Sequence, residues 1–506
     1  MENKVIPDPN DHRLFAYGVL PFHLEKTEPA EKLFHASKDG RLGTLSELEL
    51  QELKDKIRNI TPCDNKESNP SLGDYSKYYG FIKNHFGNVD SSSSLEVFIL
   101  DKSRMTVHSS DGKPQKFNEY FFQKRFRLGE EPLYLDEMDS ITILLNRDAR
   151  LGFVLLGLKV SCDDGLQIMD VLAQSEFFRN IGWRQKKQEQ EKEQSSIKRG
   201  SSQHKKAAMV PDGAEGNMQE AITIYELLED CLKELRGLVR FYQDRLTMLY
   251  CSTSYGAGNR SEDELTQLFF DILRVPDRKA PKFNLQLTEP VVTAVGRNII
   301  FTGLNEGAFV LESVNASHDP KAVGNKYLPG FLLAINQREI LLKTMHHIAD
   351  LQSDRLMKMD EQEMKLVENL KTTLLIIQLK QIFYSVSNLH EVEGFFKQLQ
   401  QVFSVELMLK ENEQSVKEIY NLLQAKQSLE QEERQKKLEV ANEKRSRIVN
   451  TILGAIACLG LFSFLKDIYP FYQDSQYAPI YKACSIALPF LVMGWLVWYM
   501  FGKKER

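Results

Sequence analysis

Residues 448–465 read IVNTILGAIACLGLFSFL and residues 483–501 read ACSIALPFLVMGWLVWYMF, eighteen and nineteen residues without one charge. As helices rising about 1.5 Å per residue, each covers roughly 27 Å, close to the ~30 Å hydrocarbon core of a bilayer. Trp495, Trp498 and Tyr499 sit near one end, and Tyr469, Tyr472, Tyr477 and Tyr481 crowd the connection, as interfacial anchors do. Lys444, Arg445 and Arg447 precede the first run, and Lys503, Lys504 and Arg506 follow the second. Basic flanks stay on the inner side, which predicts a transmembrane hairpin over 447–506 with both ends cytoplasmic. A pair of buried core helices is the alternative reading.

The opening MENKVIPDPN lacks the apolar run of a secretory leader, so everything before Lys444 is expected in the cytosol. The loop from Lys466 to Lys482 would then face outward. Its acids, Asp467 and Asp474, fit equally a weak cation-attracting ring around a symmetry axis and ordinary solvated carboxylates. Two spans cannot enclose water alone, so a pore requires several copies. On a helical wheel Asn450, Gly454, Ala457, Leu461, Phe464 and Ile468 share one face, polar and small at the cytoplasmic end and large and apolar outward. That face suits a conduit with Asn450 as a polar ring and Leu461 with Phe464 as a constriction that closes by dewetting; it suits equally a small-residue packing stripe.

Upstream, 331–446 holds no Pro and a single Gly, Gly394, amid Leu, Glu, Gln and Lys, and is expected to be a helical stalk. The pattern breaks around Asn388–Gly394, predicting helix from about Pro329 to Ser387, with an interruption near Asp360, and another from about Val392 into the membrane. Leu409, Val416, Ile419 and Leu423 have the spacing of a buried seam. EQEERQKK at 430–437 is polar all round and must face water. Helix continuous from about Ser404 to Leu465 would be a rod of roughly 90 Å.

The first 330 residues have another texture. VFIL-DKSR-MTVHS (97–109), SITILL-NRDAR-LGFVLLGLKV (140–160) and TAVGRNIIFTGL-NEG-AFVLESV (293–314) each read as strand, turn, strand. Helical signals cover Ser46–Ile60 and Gln219–Tyr250, the latter through Ile222, Tyr225, Leu228, Leu232, Leu235 and Val239. The fold class expected is an α+β or α/β cytosolic body with a mixed sheet, followed by the stalk and the hairpin. The divisions are 1–183 and 219–330 for the body, 184–218 for a charged, disordered linker, 331–446 for the stalk and 447–506 for the hairpin with its basic tail.

Composition narrows the function. The 506 residues carry 65 Lys and Arg against 70 Asp and Glu, a net charge of −5, which disfavours a dedicated nucleic-acid binder. Mean hydropathy is −0.37, an average that hides the apolar end. Six cysteines without C-x-x-C spacing point to neither a disulfide framework nor a zinc cage. G-x-x-x-x-G-K-[ST], H-E-x-x-H and G-x-S-x-G are all missing, and no nucleophile, base and orienter emerge, so an enzyme is not expected. His346, His347 and Asp350 fit a polar helix surface better than a metal site. Gly256–Arg260 leads into the capping box beginning at Ser261, whose first-turn carboxylates repel an anion.

The turn Asn146-Arg147-Asp148-Ala149-Arg150 places two guanidinium forks between apolar strands, and Arg297 stands beside Gly296. Arg147, Arg150 and Arg297 are therefore the candidate phosphate ligands, with surface salt bridges as the competing reading. Arg338 and Glu339, near the top of the stalk, suit a relay of such binding or plain domain docking.

The layout of a cytosolic body, a very long helix becoming the first span, a short loop, a second span and a basic tail resembles the CorA family of pentameric divalent-cation channels. The likeness covers the last third of the chain by architecture and the body loosely. CorA transporters carry Gly-Met-Asn at the outer end of the first span; here that place reads Phe464-Leu465-Lys466-Asp467-Ile468-Tyr469-Pro470, and the tripeptide occurs nowhere in the chain. The chain is more similar to the divergent CorA-like membrane effectors associated with type III CRISPR systems, which lack that filter and have enlarged cytosolic domains. The resemblance implies a homo-oligomer, a pentamer, in the bacterial inner membrane. It also implies that a nucleotide second messenger, an S-adenosylmethionine–AMP conjugate, binds the body and opens or deforms the pore in antiviral defence. No cofactor is required, with Mg2+ the one candidate ion, and no nucleic acid is bound directly. Two other classes stay open: a constitutive divalent-cation transporter whose stalk acids Asp350, Asp354 or Asp360 hold magnesium, and a membrane-tethered binding protein that conducts nothing.

Overall fold

The computed structural model describes residues 13–24, 47–60, 74–86, 95–100, 106–108, 114–116, 126–128, 132–163, 166–174, 208–211, 222–224, 228, 235, 239–241, 246–252, 264, 268, 272, 291–295, 298–303, 307–312, 319–352, 361–468 and 478–501. The strands are β1 (Arg13–Leu24), β2 (Leu95–Ile99), β3 (Thr106–His108), β4 (Pro114–Lys116), β5 (Phe126–Leu128), β6 (Leu133–Asn146), β7 (Leu151–Cys162), β8 (Ala208–Pro211), β9 (Ile222–Thr223), β10 (Val239–Phe241), β11 (Thr247–Ser252), β12 (Val291–Val295), β13 (Asn298–Gly303) and β14 (Gly307–Glu312). The helices are α1 (Glu47–Ile60), α2 (Gly80–His85), α3 (Ile168–Gln174), α4 (Pro320–Gln352), α5 (Glu361–Lys380), α6 (His390–Val402), α7 (Val405–Ile468) and α8 (Ala478–Phe501). The chain divides into two compact units, Met1–Glu418 and Ile419–Arg506.

The first unit is a mixed α+β domain. Its sheet runs β12-β13-β14-β11-β1-β7-β6-β5-β8-β9, with β10 also beside β1 and β2 beside β6. Pairing is antiparallel except between β11 and β14. Period-two alternation delivers successive side chains to opposite faces. Leu14, Ala16, Leu20, Phe22 and Leu24 enter one core with α1 and α3. Phe15, Tyr17 and Val19 enter the other with α4 and α6. The neighbouring β7 divides in the same way, Val154, Leu156 and Leu158 against Leu151, Phe153 and Leu155. Strands buried on both faces must be apolar throughout, which explains why LGFVLLGLKV shows a continuous run.

Several elements depart from expectation. The 97–109 hairpin does not form: β2 pairs with β6, whose second half lies beyond the reach of β5, and β3 pairs with β4. Of the helix expected over Gln219–Tyr250, Ile224 and Leu228 are helical, whereas Ile222–Thr223, Val239–Phe241 and Thr247–Ser252 are β9, β10 and β11; in β11 Met248 and Tyr250 face one core while Leu249 faces the other, along with Cys251. Within the supposed linker, Ala208–Pro211 forms β8 between β5 and β9; its remainder lies outside the described residues.

The helical region also starts earlier than Pro329. Asp319 caps α4, its carboxylate accepting from Lys321 N at 3.1 Å, and Pro320 takes the first helical position. Pro329 then sits inside the helix, leaving Asn325 O without its usual donor. Asp74 N supplies one at 2.7 Å. One step on, the Tyr78 hydroxyl donates to Lys326 O at 2.9 Å and accepts from Gly330 N at 3.1 Å, bridging the next rung. Tyr327, Phe331, Phe395 and Phe396 lie in the sheet's second core, so residues 331–418 belong to the sheet domain where a stalk was expected. The expected break near Asp360 falls at 353–360, outside the described residues. The second helix from Val392 is two helices, α6 and α7, separated at Ser404 with φ +52°.

Gly152 is required by close approach: a Cβ there would lie 2.1 Å from the Phe22 ring, itself fully buried. Gly152→Ala should lower stability by about 3 kcal/mol, the upper range for overpacking. Gly394→Ala, where a Cβ meets nothing within 4 Å in α6, should raise it slightly. Thermal unfolding midpoints of the two variants check both signs.

Candidate functional site

The turn joining β6 to β7 closes over a buried polar network. Asn146 ends β6 fully buried, and its amide must therefore find partners. Its Oδ1 accepts from Ala149 N at 3.1 Å, shaping the turn, and its Nδ2 donates to Asn336 Oδ1 at 2.8 Å and Gln381 Oε1 at 3.3 Å. Asn336 Nδ2 also donates to Gln381 Oε1 at 3.2 Å, and Gln381 Nε2 returns to the turn at Asp148 Oδ2, 3.1 Å away. Gln337 Nε2 donates to Gln381 O at 3.1 Å. Gln400 Nε2 on α6 donates to Gln337 Oε1 at 2.8 Å and Phe383 O at 2.7 Å. One connected set of amides thus joins the turn to α4, the end of α5 and α6.

The charged groups stand around this network. Arg150 has φ +50° and holds Glu49 of α1 in a bidentate pair at 3.0 and 3.1 Å. Its guanidinium fork is therefore engaged, and a phosphate arriving there must displace a carboxylate. Arg147 lies half-buried on the same turn, and Arg297 falls outside the described residues. Lys343 of α4 reaches in from the helical layer, its Nζ donating to Ala149 O at 2.6 Å and Arg150 O at 3.2 Å. Burial, and then the neighbouring Arg150 charge, push the Lys343 ammonium down to about 7. Sequence reading picked out Arg147 and Arg150 and missed Lys343. The signal was a single charge in the apolar run Ile340-Leu341-Leu342-Lys343.

Arg338 and Glu339 do not join the turn. Arg338 lies over the Phe403 ring at 5.4 Å beside the α6–α7 junction, and Glu339 is buried 4.0 Å from it. His346 is exposed and His347 half-buried, and among the described residues no three His, Cys, Asp or Glu side chains gather as a metal site. Asp354, Asp360 and Gly256–Arg260 lie outside the described residues.

In α7 the predicted seam is buried at Leu409, Val416, Ile419 and Leu423. Residues 427–450 are exposed throughout. Of the proposed lining face, Asn450, Ala457, Leu461 and Phe464 are exposed and Gly454 is half-buried. The helix continues past the expected loop start, so Asp467 is an exposed residue of its last turn, and α8 begins at Ala478; Asp474 lies outside the described residues. No protein-family model, curated protein or solved structure matches this chain.

Asn146→Ala would strip Ala149 N and Asn336 of their buried partner and should cost about 2 kcal/mol. Combined with Gln381→Ala, the loss should fall short of the sum of the single losses, because both variants break one network. Urea midpoints of the four proteins in the cycle measure that coupling; strict additivity would dissolve the network into separate bonds.

Proposed function

We propose that this chain is an integral membrane effector of CorA-like layout: a homo-oligomer, pentameric by resemblance, in the bacterial inner membrane with both termini cytoplasmic. In this reading the sheet domain receives a nucleotide second messenger, an S-adenosylmethionine–AMP conjugate, and the membrane part opens or deforms in response, in type III CRISPR antiviral defence. The observation that carries the membrane half is the exposure of apolar side chains along the end of α7. Leu459 is 70 % and Phe464 60 % exposed, in the one helix among the described residues long and apolar enough to cross a bilayer. Nine large apolar residues between Ile448 and Phe464 stand similarly open, an arrangement that water penalises by on the order of 10 kcal/mol and that lipid relieves. The apolar length of α8, with Trp495 and Trp498 exposed near its end, supports a second span.

The signalling half rests on the resemblance and on the cationic turn. Arg147 and Arg150 stand there against Glu49 and Asp148, with Lys343 adding positive charge only when protonated, so an anion binds by competing with Glu49 for the Arg150 fork. A ligand opens a pore only by binding the open arrangement more tightly. Turning a hundred-to-one closed population into a hundred-to-one open one takes about 5.5 kcal/mol of differential binding, shared among subunits. A constitutive divalent-cation carrier remains the second reading, disfavoured by the missing Gly-Met-Asn.

Alkaline carbonate washing of membranes should leave the chain in the pellet; release of intact polypeptide would overturn the membrane assignment. Liposomes carrying the purified protein should leak ions only after the nucleotide conjugate is added, and equal flux with and without it would exclude gating. Arg147→Ala with Arg150→Ala should weaken nucleotide binding severalfold while leaving assembly intact, as read by calorimetry and size-exclusion chromatography; unchanged affinity would remove the turn from the site.

A further inference from the structure

The charges of α7 are sorted by sign as the helix nears its apolar end. From Glu430 to Glu443 five glutamates stand against Arg434, Lys436 and Lys437, whereas Lys444, Arg445 and Arg447 follow with no acid before Asp467. All of these side chains are exposed on one continuous helix. Solubility is served at least as well by acids, so it does not account for placing the bases last.

The three bases are also available. Among the described residues Lys444 and Arg445 have no ion-pair or hydrogen-bond partner. Arg447 reaches Glu443 at 3.6 Å with both side chains well exposed, a pair that contributes little in water. At about 100° per residue the three side chains fan over roughly 160° of the helix circumference, a spread that suits a surrounding layer better than a single facing partner.

Their height follows from what comes next. Ile448, Val449, Ile452 and Leu453 are exposed, so the apolar surface begins directly after Arg447. At about 1.5 Å per residue Lys444 lies about 6 Å from Ile448 along the axis, within the headgroup layer when the apolar segment enters hydrocarbon. Lys437 lies about 16 Å out, beyond the ~8 Å screening length at physiological salt. The other end of α7 shows no such excess, since Lys466 stands beside Asp467 in its last turn.

We propose that Lys444, Arg445 and Arg447 form a collar that binds the phosphate groups of anionic phospholipids in the inner leaflet, an inference that rests on the membrane reading of α7 and adds a lipid class to it. Guanidinium forks take phosphate oxygens two at a time. The Lys444 stem lies along apolar surface while its ammonium stays among the headgroups. A net negative headgroup answers the collar without bringing a cation of its own, which a zwitterionic one does. Glu443, paired in open water, gives up Arg447 at small cost.

Full-length protein reconstituted in vesicles of equal parts phosphatidylcholine and phosphatidylglycerol tests this, with spin-labelled forms of each lipid reporting the fraction immobilised on the protein. The wild-type chain should immobilise phosphatidylglycerol severalfold more strongly, and the preference should shrink as salt rises. Lys444→Gln with Arg445→Gln and Arg447→Gln should remove most of it. Arg434→Gln with Lys436→Gln and Lys437→Gln takes away the same charge farther out and should leave it unchanged. The tail bases Lys503, Lys504 and Arg506, outside the described residues, are the same in every variant. Equal immobilisation of both lipids by the wild type overturns the collar and leaves the membrane assignment standing; no immobilised lipid of either kind overturns both. Equal losses in the two triple variants reduce the effect to net charge and overturn the collar as well. A collar variant that keeps its lipid preference but loses assembly on size-exclusion chromatography assigns these bases to a neighbouring copy, against the proposal. Where that variant does not insert, Lys444→Gln with Arg445→Gln, which spares the Glu443 pair, should still lower the preference, and an unchanged ratio overturns the collar.

Discussion

The constraint on which the sheet domain depends is burial of its central strands on both faces. From Leu14 to Leu24 no residue of β1 is exposed, so neither layer of helices can be removed without uncovering a full row of apolar side chains. On one side α1 and α3 cover Leu20, Phe22 and Leu156; on the other α4 and α6 cover Phe15, Tyr17 and Leu155. Adjacent strands then come close enough that Gly152 must leave room for the Phe22 ring. The parallel register of β11 and β14 similarly requires Gly307, with φ +134° and a phantom Cβ 1.9 Å from Met248 O.

Covering a sheet this completely creates a second problem, because polar backbone at strand ends and helix irregularities is buried with it. The structure answers with borrowed partners. At Pro329 the donors and acceptors come from Asp74 and Tyr78, which stitch a separate segment into the flank of α4. Beneath the β6–β7 turn, Asn146, Asn336, Gln337, Gln381 and Gln400 satisfy one another across four elements. Neutral amides suit that position, since each both donates and accepts without a net charge to desolvate. Lys343 is the exception among them, and its displaced proton affinity is the direct cost of entering such a place with no counterion.

The helix α7 shows how one secondary structure serves three environments. Its 64 residues keep the same backbone hydrogen bonding while the side chains change. They are buried at the seam through Leu423, exposed and polar across EQEERQKK, and mostly exposed and apolar from Ile448 to Phe464. Backbone satisfaction within the helix allows such changes of side-chain surface without a break in the chain's course. The i,i+4 pair of Glu443 with Arg447 adds little stability at full exposure but keeps the basic end soluble up to the point where charge stops.

Periodicity and charge in the sequence alone were enough to mark the apolar C-terminal segments, the seam at Leu409 to Leu423, the solvated stretch after it, the α1 helix and the hairpin containing Arg147 and Arg150. Each depends on residues close along the chain, where a repeat of two or 3.6 is visible. Tertiary structure alone decided that β2 joins β6, that β10 and β11 are strands where spacing suggested a helix, and that α4 passes through Pro329. It also decided that Lys343, nearly two hundred residues from the turn it holds, belongs beside Arg150. These outcomes turn on which distant backbone supplies the missing partner or the second buried face, and pairing between remote segments leaves no local period to read.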